Sequence, residues 1–236
     1  FNLGFEDSAS LMNYSQTSKN PSLNIAVIQF PKMSNYNDIE PLIANDEVYV
    51  DFINGACNLE SYDLLIMPGT KSTISDLKWL KQTGLFESIK KRKKAIYGIC
   101  GGYQMMFENI IDEENIENDE LEKESGFGFI KGDIIFEEKK VLKNTSYDMF
   151  GLTLKGFEIH NGVSKNQQLF YENENIKGSF VHGIFDNDNF TNVYFKSINT
   201  HYKNFDFKEY KKNKIKSFVD GISERLDINR ILASVS

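Results

Sequence analysis

Cys100 stands where a nucleophile would be placed. It sits in Gly98-Ile99-Cys100-Gly101-Gly102-Tyr103-Gln104. Ala95 to Ile99 reads as a short buried strand before it, and Tyr103 to Phe107 as the first turns of a helix after it. A cysteine on a glycine-flanked turn from strand to helix has the setting of a nucleophile elbow. Gly98, Gly101 and Gly102 let the chain turn sharply with no Cβ clash. The helix start directs free N–H groups at the sulfur and favours thiolate over thiol. The ordinary alternative is a small buried core cysteine, but a plain core strand gains nothing from three flanking glycines.

A cysteine nucleophile needs a base, and the chain offers three histidines, His160, His182 and His201. His182 ends the apolar run Ser179-Phe180-Val181 and precedes a glycine, a strand-end position that can reach a pocket. Alone it reads as a satisfied core histidine; beside an elbow cysteine the balance reverses, because Cys–His pairing generates thiolate near neutral pH. Glu158 and His160 alternate onto one face of a strand, where His160 could order or bind a substrate. His201 falls in an expected surface helix among lysines and is assigned no role. Acyl transfer also needs an oxyanion hole. The N–H after the nucleophile, on Gly101, supplies one donor. The turn Pro68-Gly69-Thr70 can aim a second, and Gly69 allows close backbone approach.

These groups require a scaffold that brings strand ends together. Ile25 to Ile28, Val48 to Phe52, Asp63 to Met67 and Ala95 to Ile99 are apolar strand candidates, alternating with helical segments. Thr73 with Asp76 is expected to cap one helix; its residues Ile74, Leu77 and Leu80 share a face, and Gly84 ends it. A further helix runs from Leu85 to Lys93. The alternation predicts an α/β fold with a mostly parallel sheet flanked by helices. The elbow then lies at the carboxyl ends of the strands, where such sheets bind ligands. Glu113 to Glu124 is acidic and reads as an exposed loop. From Gly126 to Val181 short strands and turns predict an added antiparallel section. Ile215, Phe218, Val219, Ile222 and Leu226 recur at helical spacing, a stripe expected to be core packing. Residues 1–22 carry no clear period and read as a linker or remnant of an upstream domain, leaving 23–236 as one domain.

The 236 residues can bury a sizeable core. A net charge of −7 argues against nucleic-acid binding, and the lysine runs at 90–94 and 139–140 read as solvated faces. No apolar run is long enough for a membrane span. Cys57 and Cys100 make no metal-ligand spacing, so no metal site is expected, and a cytoplasmic setting with reduced thiols follows.

Cys100-Gly101-Gly102-Tyr103-Gln104 resembles the C-x-G-x-Q signature of class I, triad-type glutamine amidotransferases. The match is more specific to the glutaminase domain of the cobyric acid synthase (CobQ) family. Its landmarks resemble Ser34-Asn35-Tyr36-Asn37-Asp38, Pro68 to Leu77, the elbow, Gly156-Phe157-Glu158-Ile159-His160-Asn161-Gly162 and His182 to Asp188. Phe5 to Leu11 resembles the tail of that family's synthetase domain.

The resemblance implies a flavodoxin-like class I amidotransferase fold. It implies that Cys100 attacks the side-chain amide of glutamine through a thioester while His182 moves the proton. Gly69 and Gly101 would hold the oxyanion, and Gln104, Glu158 and His160 would bind substrate or order the pocket rim. Ammonia would pass to an ATP-binding synthetase domain, upstream or a separate subunit, that amidates adenosylcobyrinic acid a,c-diamide towards cobyric acid. No cofactor is expected in this domain; ATP and Mg belong with the synthetase part, whose G-x-x-x-x-G-K-[ST] loop this chain lacks. Typical class I enzymes carry a glutamate two residues after the histidine; Ile184 stands there, so the group orienting His182 is expected elsewhere. Asp186 is one candidate and a partner domain another. The polar loop Lys32 to Asp38 is expected to contact the partner. Alternatives are the glutaminase of a lipid II amidotransferase or of cobyrinic acid a,c-diamide synthase, a cysteine hydrolase or redox sensor, and a non-catalytic docking module.

Overall fold

A computed structural model describes residues 20–117, 122–166 and 168–223; residues 1–19, most of the expected linker, lie outside them. The first sheet begins with β1 (Leu23–Ile28), β2 (Val48–Ile53), β3 (Leu64–Met67) and β4 (Ala95–Ile99). Two later strands, β9 (Phe170–Asn173) and β10 (Ile176–Ser179), complete the order β2-β1-β3-β4-β10-β9. All neighbours run parallel except β9, which is antiparallel to β10. Every residue of β3 is buried, as a strand covered on both faces requires. The helices here are α1 (Glu40–Ile43), α2 (Thr73–Gln82), α3 (Leu85–Lys91), α4 (Gly101–Gln104), α5 (Asp188–Ile198) and α6 (Phe207–Ser223). On α2, Ile74, Leu77 and Leu80 are fully buried, and Gly84 beyond its end takes the left-handed conformation at φ 77°. Under the sheet Tyr97 meets Phe150, Phe185, Phe190 and Tyr194 in one aromatic cluster.

The second sheet has the order β6-β5-β7-β8, from β5 (Phe107–Asp112), β6 (Glu122–Ser125), β7 (Ile130–Met149) and β8 (Leu152–Ser164). Over 130–164 the expected short strands are instead one long ribbon, β7 against β8, closed by a turn in which Phe150 has φ 55°, while β9 and β10 are short and antiparallel to each other as expected. Its ladder is interrupted between Phe136↔Gly162 and Val141↔His160, so residues 137–140 bulge out opposite Asn161.

Several expectations are corrected. The helix after the elbow is a single turn, α4, and Phe107 already starts a strand. The chain there returns on itself: Phe127, Gly128 and Ile130 donate N–H groups to the carbonyls of Met105, Phe107 and Met106, so the turn cannot propagate. The cap of α2 is neither Thr73 nor Asp76. Glu117 accepts from the N–H groups of Thr73 (2.9 Å) and Ile74 (3.1 Å), so the acidic stretch is partly tucked in. Asp76 is buried and binds the Thr70 hydroxyl and the Lys32 N–H. Arg92, in the middle of the lysine run, is also buried, and donates to the carbonyls of Leu59, Tyr62 and Ala95. On α6 the apolar stripe is not core: Ile215 is 56% and Val219 52% exposed. Leu226 lies outside the described residues. His201 sits in an exposed turn after α5, not in a helix.

Candidate active site

Cys100 lies where β4 ends and α4 begins, with φ 48° and ψ −107°. That region is sparsely populated for a side-chain-bearing residue and costs about 1–3 kcal/mol. The strained dihedral therefore falls on the cysteine, and none of its three glycines has a positive φ. The glycines make room instead. A Cβ on Gly102 would stand 2.1 Å from the Met67 carbonyl oxygen, and one on Gly98 2.8 Å from Tyr103 Cα. The elbow is pressed against β3, and its geometry follows from that close approach.

β10, the neighbour of β4, delivers His182 just beyond its end. The Cys100 N–H donates to the Ser179 carbonyl at 2.9 Å, which fixes the two strand ends side by side. Phe157 and His182 exchange backbone hydrogen bonds, and the Phe157 ring stacks on the imidazole with centroids 5.0 Å apart. The His182 ring is fully buried, and the Cys100 thiol donates to the Ile159 carbonyl at 3.7 Å. Asn35 Nδ2 stands 3.4 Å from His182 Nε2.

The other imidazole nitrogen answers the question that Ile184 left open. Asp38 Oδ2 lies 2.6 Å from His182 Nδ1, and Asp38 Oδ1 accepts the Gly183 N–H at 2.7 Å. Both oxygens of one buried carboxylate thus hold the histidine, fixing a proton on Nδ1. Asp38 closes a 3₁₀ turn, Tyr36–Asp38, whose preceding residue Asn35 is left-handed at φ 54°. The loop expected to meet a partner is therefore folded inward at this point. Asp186 is not the orienting group: its carboxylate faces Lys211 at 3.4 Å. Ile184 is fully buried in the core. Burial alone would lower the His182 pKa. The charges of Asp38 and Cys100 outweigh it, and the imidazole is held well above the ordinary histidine value.

Gly69 follows β3 and Gly101 opens α4, and neither is among the residues that line the Cys100 cleft. A Cβ on Gly69 would lie 3.0 Å from His182 Cε1, and one on Gly101 2.6 Å from Thr70 Cγ2. Their N–H groups make no hydrogen bond among the described residues. Gln104 is buried with its amide engaged at both ends: Oε1 accepts from Thr73 Oγ1 at 3.0 Å, and Nε2 donates to the Gly162 carbonyl at 3.3 Å. It ties the elbow to α2 and to β8. His160 Nδ1 is 2.8 Å from the Gly162 oxygen, its Nε2 is 3.3 Å from Glu158 Oε2, and its ring stacks on Phe180 at 4.1 Å. Burial lowers the His160 pKa despite the neighbouring Glu158 and the Gly162 carbonyl. Cys100, Gln104 and His160 all line one cleft of about 420 Å³, whose charged lining is Lys71, Lys140 and Glu117. Glu158 does not reach that cleft; it lines a second cavity of about 490 Å³ on the other side of His160. Among the described residues no cluster of side chains is arranged to hold a metal ion.

Sequence reasoning missed Asp38, Asn35 and Glu117. Asp38 was visible only as part of a family-like loop, because it lies 144 positions from His182 and no spacing rule connects them. Glu117 lay inside a stretch whose composition spoke for solvent.

The comparisons with known proteins follow the same geometry. The family model of the CobB/CobQ-like glutamine amidotransferase domain matches residues 24–190. A cobyric acid synthase of Acinetobacter baylyi is 46% identical over 235 residues, all of this chain and 50% of that protein. One from Clostridium perfringens is 32% identical over 247 residues, 94% of this chain and 50% of its own length. The chain spans about half the length of these curated relatives. Among solved structures, a glutamine amidotransferase superposes with TM-score 0.55 at 14% identity, covering 74% of this chain and 97% of its own. PurLQS from Thermotoga maritima gives 0.53 at 18%, covering 78% and 100%. Both share the fold, which is thus the α/β arrangement of a glutamine amidotransferase. The chain belongs to the CobB/CobQ-like family of glutamine amidotransferase domains.

Proposed function

We propose that this chain hydrolyses the side-chain amide of glutamine through a Cys100 thioester and supplies the ammonia for ATP-dependent amidation of a corrinoid carboxylate in cobalamin biosynthesis. The observation that carries the reading is a strained elbow cysteine facing a histidine whose far nitrogen is gripped by Asp38. In this reading the Cys100 thiolate adds to the amide carbon, and the N–H groups of Gly69 and Gly101 receive the oxyanion. His182 Nε2 gives its proton to the leaving nitrogen as the C–N bond breaks, releasing ammonia. A water molecule, deprotonated at the same nitrogen, then attacks the thioester. The C–S bond breaks, and glutamate leaves with the thiolate restored.

Asp38 is a positioning residue here: it fixes the tautomer and stabilises the imidazolium. The cleft also carries both charge signs that an amino-acid zwitterion needs, with Lys71 and Lys140 for the α-carboxylate and Glu117 for the α-ammonium. Gln104 acts by holding Thr73 and β8 in place. ATP and Mg belong to the amidating unit, whether fused or separate. Its presence is supported by relatives about twice this chain's length, and the corrin acceptor by their being cobyric acid synthases.

Cys100→Ala tests the reading, with glutamate release from glutamine measured in the presence of the amidating unit. A loss of about 10³-fold or more is expected, with amidation persisting when ammonium chloride replaces glutamine. Retained glutamate release in the variant overturns the reading.

A further inference from the structure

Asn35 precedes the 3₁₀ turn Tyr36–Asp38, a position where asparagine ordinarily caps the turn with its side-chain oxygen. Here the side chain makes no capping bond to that turn, and the backbone is left-handed at φ 54° and ψ 52°. Asparagine is one of the few side-chain-bearing residues that tolerate this conformation. The turn is closed by backbone instead, with the Asp38 N–H donating to the Asn35 carbonyl at 2.9 Å. The amide is turned towards the reacting groups: its Nδ2 stands 3.4 Å from His182 Nε2 and 3.4 Å from Ser34 Oγ. A Cβ on Gly69 would lie 3.0 Å from His182 Cε1, 3.6 Å from Ser34 Oγ and 3.7 Å from Asn35 Nδ2, so imidazole, amide and Gly69 meet around one point. The two loops are locked together there. The Ser34 N–H donates to the Gly69 carbonyl and the Lys71 N–H to the Lys32 carbonyl, both at 2.9 Å. Asn35 lines the cleft that holds Cys100, which Gly69 and Gly101 do not.

We propose that the Asn35 side-chain amide is a catalytic hydrogen-bond donor, which binds the oxygen of the glutamine amide as Cys100 attacks it. This rests on the glutaminase reading above and adds a side-chain donor to the two backbone ones. When the thiolate adds, an S–C bond forms and the carbonyl π pair moves onto oxygen, which accepts from Asn35 Nδ2–H. His182 carries its second proton at that stage, so its Nε2 is a donor and cannot hold the Asn35 N–H. When the C–N bond breaks, the oxygen pair restores the carbonyl and Nε2 gives its proton to the leaving nitrogen. The bare Nε2 then accepts from Asn35 again. The donor changes partner in step with the proton. Contacts of 3.4 Å at rest suit this role, since catalytic hydrogen bonds are often long until substrate is bound. The locked loops hold the amide in place beforehand, which is what makes such a donor effective against developing charge.

The test is steady-state release of glutamate from glutamine by the assembled enzyme, with alkylation of Cys100 by iodoacetamide as a second readout. Asn35→Gly removes the amide and puts at φ 54° the residue that holds that angle without strain. Asn35→Asp keeps the shape, replaces the donor by an acceptor, and carries the test where Asn35→Gly fails to fold. In both, kcat is expected to fall by about 10²- to 10³-fold with KM for glutamine within about threefold of wild type. The alkylation rate of Cys100 in Asn35→Gly is expected to stay within about threefold, because the Cys–His pair is intact. A kcat within about threefold of wild type in either folded variant overturns the proposal. So does a parallel loss of kcat and alkylation rate in Asn35→Gly, which would make Asn35 a positioning residue for the Cys–His pair. A wild-type enzyme that releases no glutamate from glutamine refutes the glutaminase reading itself, and the two failures remain distinct.

Discussion

Asp38 does at one residue what the resemblance left unassigned. Its two oxygens hold the His182 ring nitrogen and the Gly183 N–H. Asp38→Asn keeps the shape but offers the imidazole a neutral partner, so the wrong tautomer becomes available. A fall in glutamate release of about 10²- to 10⁴-fold is expected, with KM for glutamine little changed. The same substitution removes the first of the charges that raise the His182 pKa. Burial then dominates, and the ring resonances are expected to titrate at lower pH by NMR. The sign for stability follows. The folded imidazole binds its proton more tightly than the unfolded one, whose ordinary value is 6.5. Its stabilisation is complete below that pH and is lost as pH rises through the raised folded-state value. The stability advantage of wild type over Asp38→Asn, measured by chemical unfolding, is expected to shrink over that interval. Cys100, His182 and Gly69 were legible because each sits in a local pattern of strand end and glycine. Asp38 was not, because a contact across 144 positions is made by the tertiary fold alone.

At the scale of elements, the elbow shows why a pattern can be read for a partly different reason. Its glycines suggested a sharp turn; the structure uses them for contact between β4, α4 and β3. A Cβ at Gly102 would stand 2.1 Å from a β3 backbone oxygen, which no side-chain rotation relieves. Gly102→Ala is expected to cost at least about 1–3 kcal/mol in unfolding free energy, read by denaturant titration, and to lower glutamate release through a displaced Cys100. The short apolar strands and α2 were readable from periodicity. The length of the ribbon was not, since turn-like residues at 137–140 form a bulge inside a continuing strand. Helix periodicity after Cys100 likewise gave way to backbone pairing from residues 127–130.

Across the whole molecule, the first sheet gathers the reacting groups at the carboxyl ends of its parallel strands, as α/β sheets do. The ribbon then forms the far wall. Helix α6 lies outside this plan. Its stripe at Ile215 and Val219 has helical spacing yet faces solvent; periodicity identifies an apolar face but not what covers it. The double variant Ile215→Ser/Val219→Ser is expected to shift the unfolding free energy of this chain by no more than about 0.5 kcal/mol per site, whereas Leu77→Ala, in the core, is expected to cost about 2–5 kcal/mol. Comparable losses in both would place α6 in the core after all.

The backbone at Cys100 carries one further consequence. Its positive φ is a conformation that glycine adopts without strain, so energy is held at the residue proposed as the nucleophile. Cys100→Gly is accordingly expected to be inert as a glutaminase and yet to melt higher than the working protein, by the few degrees that correspond to about 1 kcal/mol.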